Sequence, residues 1–516
     1  MKDFFTKILK SSTKYKNNPA IITRDQAYAY DEVFSYAYYL SFYFLECKSE
    51  DAICVILTEK TIELYAAMLA CFFSNTIYTP LNVNSGIEKN KLILSTVMPK
   101  LIFVGDMQYE VLHELISAIS DATILFTNKV LYDQCRKTLS NNTLIYINSR
   151  FDTFTVQKNT FSEFYEANKI QSIAYLFFTS GSTGVPKAVP ISYRNLSAYI
   201  SAISSLFTFT HEDRFAQLSD IAFDIAIHEI LISLISGATL YVYDDQRELS
   251  IARFIAKNKI TQCILVPSSM NAIVDQCRFY ACHFESLKCT LVCGESFPIS
   301  FARRWKSVAP QSMIVNLYGP TEATVCCTYH VYQKNNDYGS LMTLPIGKPF
   351  PEIYLDISDN HELIITGHQV SDGYWRSGSK ALLKFQFNDA HRTMSYFTGD
   401  HVSYDQRYGY LFHGRLDDQW QVKGYRVEKN EVENALRLVL DISDIFVTPA
   451  TGHNQMIKHL VAFSTHSIDL SEHKNQLRTF LPEPAIPLKL IQMKEIPTLS
   501  NGKTNYKNLA ERALEC

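Results

Sequence analysis

Two short segments concentrate residue types that could handle a nucleotide. The first, Thr179-Ser180-Gly181-Ser182-Thr183-Gly184-Val185-Pro186-Lys187, follows the apolar run 174–178. It puts hydroxyls, two glycines and a lysine into nine positions. Backbone N–H groups of such a loop, with its hydroxyls and one ammonium, suit phosphate oxygens. It is not a Walker A loop, which needs Lys followed by Ser or Thr at the opening of a helix; here Pro186 and Ala188 flank Lys187. Taken alone, a Gly- and Ser-rich surface loop would look much the same. The second segment, Asn316-Leu317-Tyr318-Gly319-Pro320-Thr321-Glu322-Ala323-Thr324, follows another apolar run. Tyr318 offers a face for a purine and Thr321 a hydroxyl for a phosphate. Glu322 is a hard oxygen ligand suited to the Mg²⁺ that accompanies ATP. A Pro-Gly turn explains part of this stretch, but turn chemistry does not require Glu at that offset.

Both segments resemble signature motifs of the adenylate-forming ligase superfamily, which makes acyl- and aminoacyl-AMP. The resemblance spans nearly the whole chain with its motifs in order. Ala188 departs from it, standing where the family has Gly. ATP and Mg²⁺ are thereby implied, with Thr179 to Gly184, Lys187, Asn316, Tyr318, Gly319 and Thr321 around the nucleotide and Glu322 on the metal. Tyr396-Phe397-Thr398-Gly399-Asp400 resembles the motif whose aspartate grips both ribose hydroxyls, which assigns Asp400 to the ribose. Gly414-Arg415-Leu416-Asp417-Asp418-Gln419 resembles the motif that puts Arg415 near ribose or phosphate and Asp417 at a hinge. Gln421 then stands where a lysine is usual, with Lys423 two residues on. Pro497-Thr498-Leu499-Ser500-Asn501-Gly502-Lys503 resembles the motif carrying the catalytic lysine. Lys503 would bridge the substrate carboxylate and the α-phosphate, offsetting the repulsion of two anions as they meet.

Asp224 begins an apolar, helix-like run, Asp224-Ile225-Ala226-Ile227-His228-Glu229-Ile230. In the amino-acid-activating branch an aspartate here pairs with the substrate ammonium, and a buried Asp is economical only with a cationic partner. Helix capping is the competing role. Carried over one at a time, the pocket walls are Ile225, His228, Leu265, Leu291, Cys293, Leu317, Val325 and Cys326. They suit a small apolar side chain, since a charged one would have no partner. His228 could equally be a satisfied core histidine. The set is similar to D-alanine:carrier-protein ligases and to stand-alone prolyl-carrier-protein ligases. It implies proline or a small aliphatic amino acid, D-alanine included. Activation would be followed by transfer to the phosphopantetheine thiol of a separate carrier protein. An acyl- or aryl-CoA ligase shares the nucleotide motifs and is the rival; Asp224 separates the two. An inactive nucleotide-binding scaffold is a third reading, opposed by the retained Lys503, Glu322 and Asp400.

These residues need a scaffold, and the sequence suggests one. Short β-branched runs at 52–57, 101–104, 174–179, 238–243, 263–267, 290–293 and 314–317 alternate with stretches of helical period, which implies α/β layering. A polar stretch from Gly399 to Lys423 suggests a hinge. The expected division is a core of layered sheets and helices, 1–416, and a small mobile α+β lid, 417–516, with helix 428–440, strand 460–464 and a Pro-rich tail. A formal charge of −3 offers no basic field for nucleic acid. Scattered cysteines without C-x-x-C pairs point to a reducing, cytoplasmic setting. No apolar segment of signal-peptide type follows the N-terminal lysines, and the run 64–73 is about half a membrane span.

Overall fold

The computed structural model of the chain describes residues 2–24, 26–47, 52–82, 86–117, 119–139, 141–148, 173–179, 186–245, 248–376, 384–452, 456–498 and 504–514. How its layers form can be read from one strand. In Ile53–Leu57 the side chains of Ile53, Val55 and Leu57 join an outer cluster with Leu94 and Leu115, while Cys54 and Ile56 join the central cluster. A strand buried on both faces alternates in this way without any polar position, which is why the run reads as continuously apolar.

Seven strands form the first sheet, in the order 143–146, 123–126, 101–104, 53–57, 77–80, 173–179, 187–192. All pair in parallel except the last two, which are antiparallel. A second sheet of nine strands carries 313–318, 289–292, 262–265, 214–217 and 239–242 in that order at its centre. Between the sheets lies the helix Ile62–Ser74, buried along nearly its whole length. That explains why its sequence is apolar all round rather than striped. Outer helices cover the far faces: Trp305 and Met270 pack with Cys263 and Leu265 on one side, Leu94 and Leu115 with Val55 on the other. All seven strand-like runs of the sequence form strands.

In a third, five-stranded sheet, Thr393–Asp405 pairs with Glu362–Gly367, Phe385–Asn388 and Gly409–Arg415. Most of the polar stretch 399–423, where the sequence suggests a hinge, is therefore strand. Its alternating polar residues sit on strands with one solvated face, leaving only 416–418 between Gly409–Arg415 and the next strand, Gln419–Val422. That strand pairs with Tyr425–Glu428 in a hairpin whose turn residues, Lys423 and Gly424, have φ of 50° and 83°. Two positive φ angles in a two-residue turn match the twist of the flanking strands. Beyond it, helices Lys429–Leu440 and Tyr506–Leu514 pack on a three-stranded sheet, 446–451, 457–464 and 489–492. Two hydrophobic clusters there draw only on residues from 420 onward. The C-terminal part meets the rest through Lys89 Nζ to Glu431 Oε1 at 2.9 Å, Glu88 N–H to the Thr479 carbonyl at 3.0 Å, and the hairpin. Among the described residues no helix is long and apolar enough to cross a membrane.

Candidate active site

A cavity of about 480 Å³ opens where the edges of the first two sheets face the 419–428 hairpin. Thr179 ends its strand on the cavity wall and pairs in register with Lys187. Lys187 opens the strand Lys187–Ser192 rather than a helix, which sets the segment apart from a Walker A loop. Ser180, Gly181, Ser182, Thr183 and Gly184 lie outside the described residues. The buried Thr179 Oγ1 has no hydrogen-bond partner among the described residues. A phosphate oxygen at the wall would satisfy it. The Lys187 ammonium sits 5.6 Å from the centre of the Tyr374 ring, and burial lowers its pKa. Ala188 is buried opposite Phe178 in extended backbone, its carbonyl accepting from the Trp375 N–H at 2.9 Å. Its extra methyl is accommodated by ordinary strand packing.

The strand Met313–Tyr318 delivers the second segment. Asn316 donates its side-chain amide to the Pro345 carbonyl at 2.8 Å, anchoring the segment from below. At Gly319 a Cβ would fall 2.4 Å from Cys326 Cα, so backbone occupies the space any side chain would need. Thr324 and Val325 follow with φ of 58° and 65°. A β-branched residue there costs about 1–3 kcal/mol. Gln369 holds the strained turn, its side-chain amide donating to the Cys326 carbonyl at 2.8 Å while its backbone carbonyl accepts from Thr324 Oγ1 at 2.6 Å. Val325 is thus pinned facing the cavity.

A run of charge-assisted hydrogen bonds connects two of the predicted carboxylates. Asp400 accepts from the Tyr318 hydroxyl and, at 2.7 Å, from Arg415 Nη1. Burial raises its pKa, partly offset by Arg415 and Tyr318. Arg415 grips Asp417 with two bonds, at 2.8 and 2.6 Å, and reaches Gln419 Oε1 at 2.9 Å. Gln419 Oε1 also accepts from Arg426 Nε at 2.9 Å. Arg426 Nη1 then lies 3.2 Å from both carboxylate oxygens of Glu322. Oε1 of Glu322 further accepts from the Tyr374 hydroxyl at 2.8 Å. Burial pushes this carboxyl up, but Arg426 and the tyrosine hydroxyls outweigh it and hold it at about 2. Tyr318, Gly319, Thr321, Asp400, Arg415 and Asp417 line the cavity, whereas Glu322 does not.

Asp224 stands on the same wall, one residue before the helix Ile225–Ser236. Its backbone is already helical, φ −67° and ψ −16°, and its side chain makes no capping hydrogen bond. The capping alternative is thereby removed. Its Oδ2 is buried without a hydrogen-bond partner among the described residues. Burial raises its pKa to about 6, with the Glu322 charge adding to the rise and hydrogen bonds from Thr321 and the Val325 backbone opposing it. A buried carboxylate oxygen without a partner is costly, and on a cavity wall it leaves one hydrogen bond to be met.

Ile225, Cys293, Leu317 and Val325 complete this end of the cavity. Four other predicted walls do not reach it. His228 Nδ1 is 2.6 Å from the Tyr199 hydroxyl, and Cys326 Sγ lies 3.8 Å from that same hydroxyl. Burial drives the His228 pKa down to about 3, so this is a neutral core histidine. Leu291 packs in the central cluster behind Cys293, and Leu265 points to the opposite face, among Met270 and Val292.

Lys503 lies outside the described residues. A Mg²⁺ ion does not fit Glu322 as it stands here, because a guanidinium and a hydroxyl already occupy the carboxylate. Among the described residues no group of three or more carboxylate, histidine or cysteine side chains could hold a metal unaided. Arg426, Tyr374 and Gln369 escaped the sequence reading. Arg426 sits in Lys423-Gly424-Tyr425-Arg426, beside the substituted Gln421, but nothing local signals a partner 104 residues earlier.

A family profile described as AMP-binding enzyme matches residues 9–375, more than half of the chain. A plipastatin synthase polypeptide of Bacillus subtilis (strain 168) is 29% identical over 520 aligned positions, which cover 96% of this chain but only 18% of that protein. D-alanine--D-alanyl carrier protein ligase of Staphylococcus aureus is 28% identical over 460 positions, 87% of each chain. Among solved structures, the Vibrio cholerae adenylation domain AlmE, in complex with glycyl-adenosine-5'-phosphate, superposes with a TM-score of 0.86 at 26% identity. The match covers 100% of this chain and 98% of that one.

Proposed function

The chain belongs to the AMP-binding enzyme family, and from that premise we propose that it activates a small uncharged amino acid with ATP and passes the aminoacyl group to a carrier-protein thiol. The observation that carries this reading is Asp224, a buried carboxylate on the cavity wall whose Oδ2 lacks a hydrogen-bond partner among the described residues. A substrate α-ammonium supplies that partner; a fatty or aryl acid does not. The short end wall of Ile225, Cys293, Leu317 and Val325, backed by the closed Tyr199–His228–Cys326 cluster, favours glycine, alanine of either hand or proline over a long side chain. The named relatives, a D-alanine ligase and a structure holding a glycyl adenylate, point the same way.

In the first step a carboxylate oxygen of the amino acid attacks the α-phosphorus, the bond to the β-phosphate bridging oxygen breaks, and pyrophosphate leaves. Asp224 fixes the ammonium so that the carboxylate is aimed at phosphorus. Asp400 receives the ribose hydroxyls, and Thr179, Lys187 and the loop between them receive phosphate oxygens. Lys503 neutralises the approaching anions. In the second step a thiolate attacks the mixed anhydride carbonyl and AMP leaves. Lys89, Ile93, Glu431, Pro482 and Ala485 border an outer arm of the cavity, between helix 87–97 and the C-terminal part, along which a phosphopantetheine arm could approach. Residues 1–416 form the nucleotide core in this scheme and 417–516 the lid, turning about Asp417. Carboxylate-dependent pyrophosphate exchange against the proteinogenic amino acids, D-alanine and a set of fatty and aryl acids tests the proposal. Exchange confined to one or two small amino acids is expected. Turnover with a fatty or aryl acid and coenzyme A would overturn it.

Asp400→Ala should raise KM for ATP by about 10- to 100-fold, the cost of losing charge-assisted hydrogen bonds to the ribose, and should leave KM for the amino acid within about twofold. Steady-state exchange rates at varied ATP and varied amino acid separate the two effects.

A further inference from the structure

Thr324 and Val325 are consecutive β-branched residues in left-handed backbone, at φ of 58° and 65°. Glycine would make the same turn without the penalty, but only a side chain at 325 can close the end of the cavity. Strain that a simpler residue would avoid has to be held by the surroundings, and on a cavity wall it points to a use.

The hold comes from one buried amide. Gln369 Nε2 donates to the Cys326 carbonyl at 2.8 Å and reaches the Ala323 and Thr324 carbonyls at 3.3 and 3.5 Å. The Thr324 hydroxyl donates in return to the Gln369 carbonyl at 2.6 Å. Gln369 lies two residues past the strand Glu362–Gly367 and does not itself line the cavity. It is fixed from behind by Asn195, on the helix Tyr193–Leu206. The Asn195 amide donates to the carbonyls on either side of Gln369, His368 at 2.7 Å and Val370 at 2.8 Å. Asn195, Gln369 and Thr324 are all buried, so none of these bonds competes with bulk water. The same helix carries Tyr199, whose hydroxyl meets Cys326 Sγ.

We propose that Gln369 is a positioning residue for the amino-acid substrate: by clamping the 323–326 turn it keeps the Val325 side chain across the pocket end and so limits the length of side chain accepted. This rests on the proposed reading, in which that end of the cavity receives an amino acid. Without the amide, nothing opposes return of the turn to negative φ. Val325 then swings from the wall, and its N–H leaves the Asp224 carboxylate that it bonds. Recognition of the ammonium end and exclusion of longer side chains should therefore weaken together, while the nucleotide wall, built from other segments, stays in place.

Gln369→Met keeps the length of the side chain and removes the donor. Pyrophosphate exchange by the full chain is measured with glycine, alanine and 2-aminobutyrate of each hand, proline and pipecolate. The wild type should prefer its best substrate over the homologue one methylene larger by about 10- to 100-fold in kcat/KM. In Gln369→Met that preference should fall below about threefold, and KM for the best substrate should rise by about tenfold. KM for ATP should stay within about twofold. Thr324→Val, which loses the returning hydroxyl, should shift in the same direction, and Thr324→Ser, which keeps it, should behave as wild type. A purely structural role would lower the melting temperature of Gln369→Met and Thr324→Val without moving the homologue preference or splitting the two KM values, and that result would overturn the inference. If Gln369→Met does not fold, the Thr324 pair decides: equal preference in Val and Ser variants overturns it. Such failures leave wild-type exchange intact, whereas failure of the functional reading shows as no exchange with any amino acid.

Discussion

Asp224→Asn should lower kcat/KM for the amino acid by about 10²- to 10³-fold, the usual cost of removing one partner of a buried charge pair. It should leave nucleotide affinity unchanged and make the free protein more stable. The stability gain follows from the raised carboxyl pKa, about 6 against an ordinary value of 3.8. A group whose folded pKa lies above its unfolded one favours the fold most when protonated. That contribution is complete below about pH 4 and is lost as the pH rises through about 6. At pH 8 the wild-type chain therefore carries a burial cost on the order of 3 kcal/mol that the neutral amide does not. Chemical denaturation of both chains at pH 8 and pH 4 checks this: the Asn variant should be the more stable at pH 8, with the gap closing at pH 4. The same titration governs catalysis in the opposite sense. Only the ionised form holds an ammonium, so kcat/KM for the amino acid should fall by about tenfold per unit below pH 6 in the wild type. The Asn variant should show no such limb. Equal stability at both pH values, with activity retained, would show that Asp224 holds no ammonium.

Lys503→Ala should slow adenylate formation by about 10²- to 10³-fold, the scale of removing one preorganised charge from a site where negative charge develops. ATP affinity, set by groups before residue 420, should change by no more than about threefold. The prediction comes from the sequence, because position 503 is outside the described residues. Thr498 and Thr504, on either side of it, pair as an isolated antiparallel bridge. Single-turnover formation of aminoacyl-AMP, run beside an equilibrium titration with the methylene analogue, distinguishes a chemical defect from a binding one. Normal exchange in this variant would remove Lys503 from the reaction.

The two variants probe opposite ends of one substrate. In the proposed reading Asp224 takes the ammonium and Lys503 the carboxylate, so the first should change amino-acid recognition and the second only the step that follows it. An effect of Lys503→Ala confined to amino-acid KM would mean that the ends had been assigned the wrong way round.

Much of this protein could be read from residue types and spacing. Buried parallel strands must be continuously apolar, so every such run in the sequence formed a strand. The hydroxyl- and glycine-rich segment has the composition of many surface loops, so its use for phosphate rests on the resemblance; its lysine sits in register with Thr179. The polar stretch 399–423, where a hinge is expected, is mostly strand, because alternating polar residues on a half-solvated strand show no apolar run; residues 416–418, around Asp417, join Gly409–Arg415 to Gln419–Val422. Helix capping by Asp224 could be dismissed only once its backbone and hydrogen bonds were visible.

What residue order by itself determined was an inventory: which carboxylates, ammoniums and hydroxyls exist, and in what order they stand along the chain. Only the tertiary structure decided which partners they take. Strand parity sent Leu265 and Leu291 to opposite faces. A pairing across 104 residues gave Glu322 to Arg426. Periodicity reports how a segment meets its own layer, whereas an ion pair between distant segments depends on how whole layers come to rest against each other, and no local pattern encodes that.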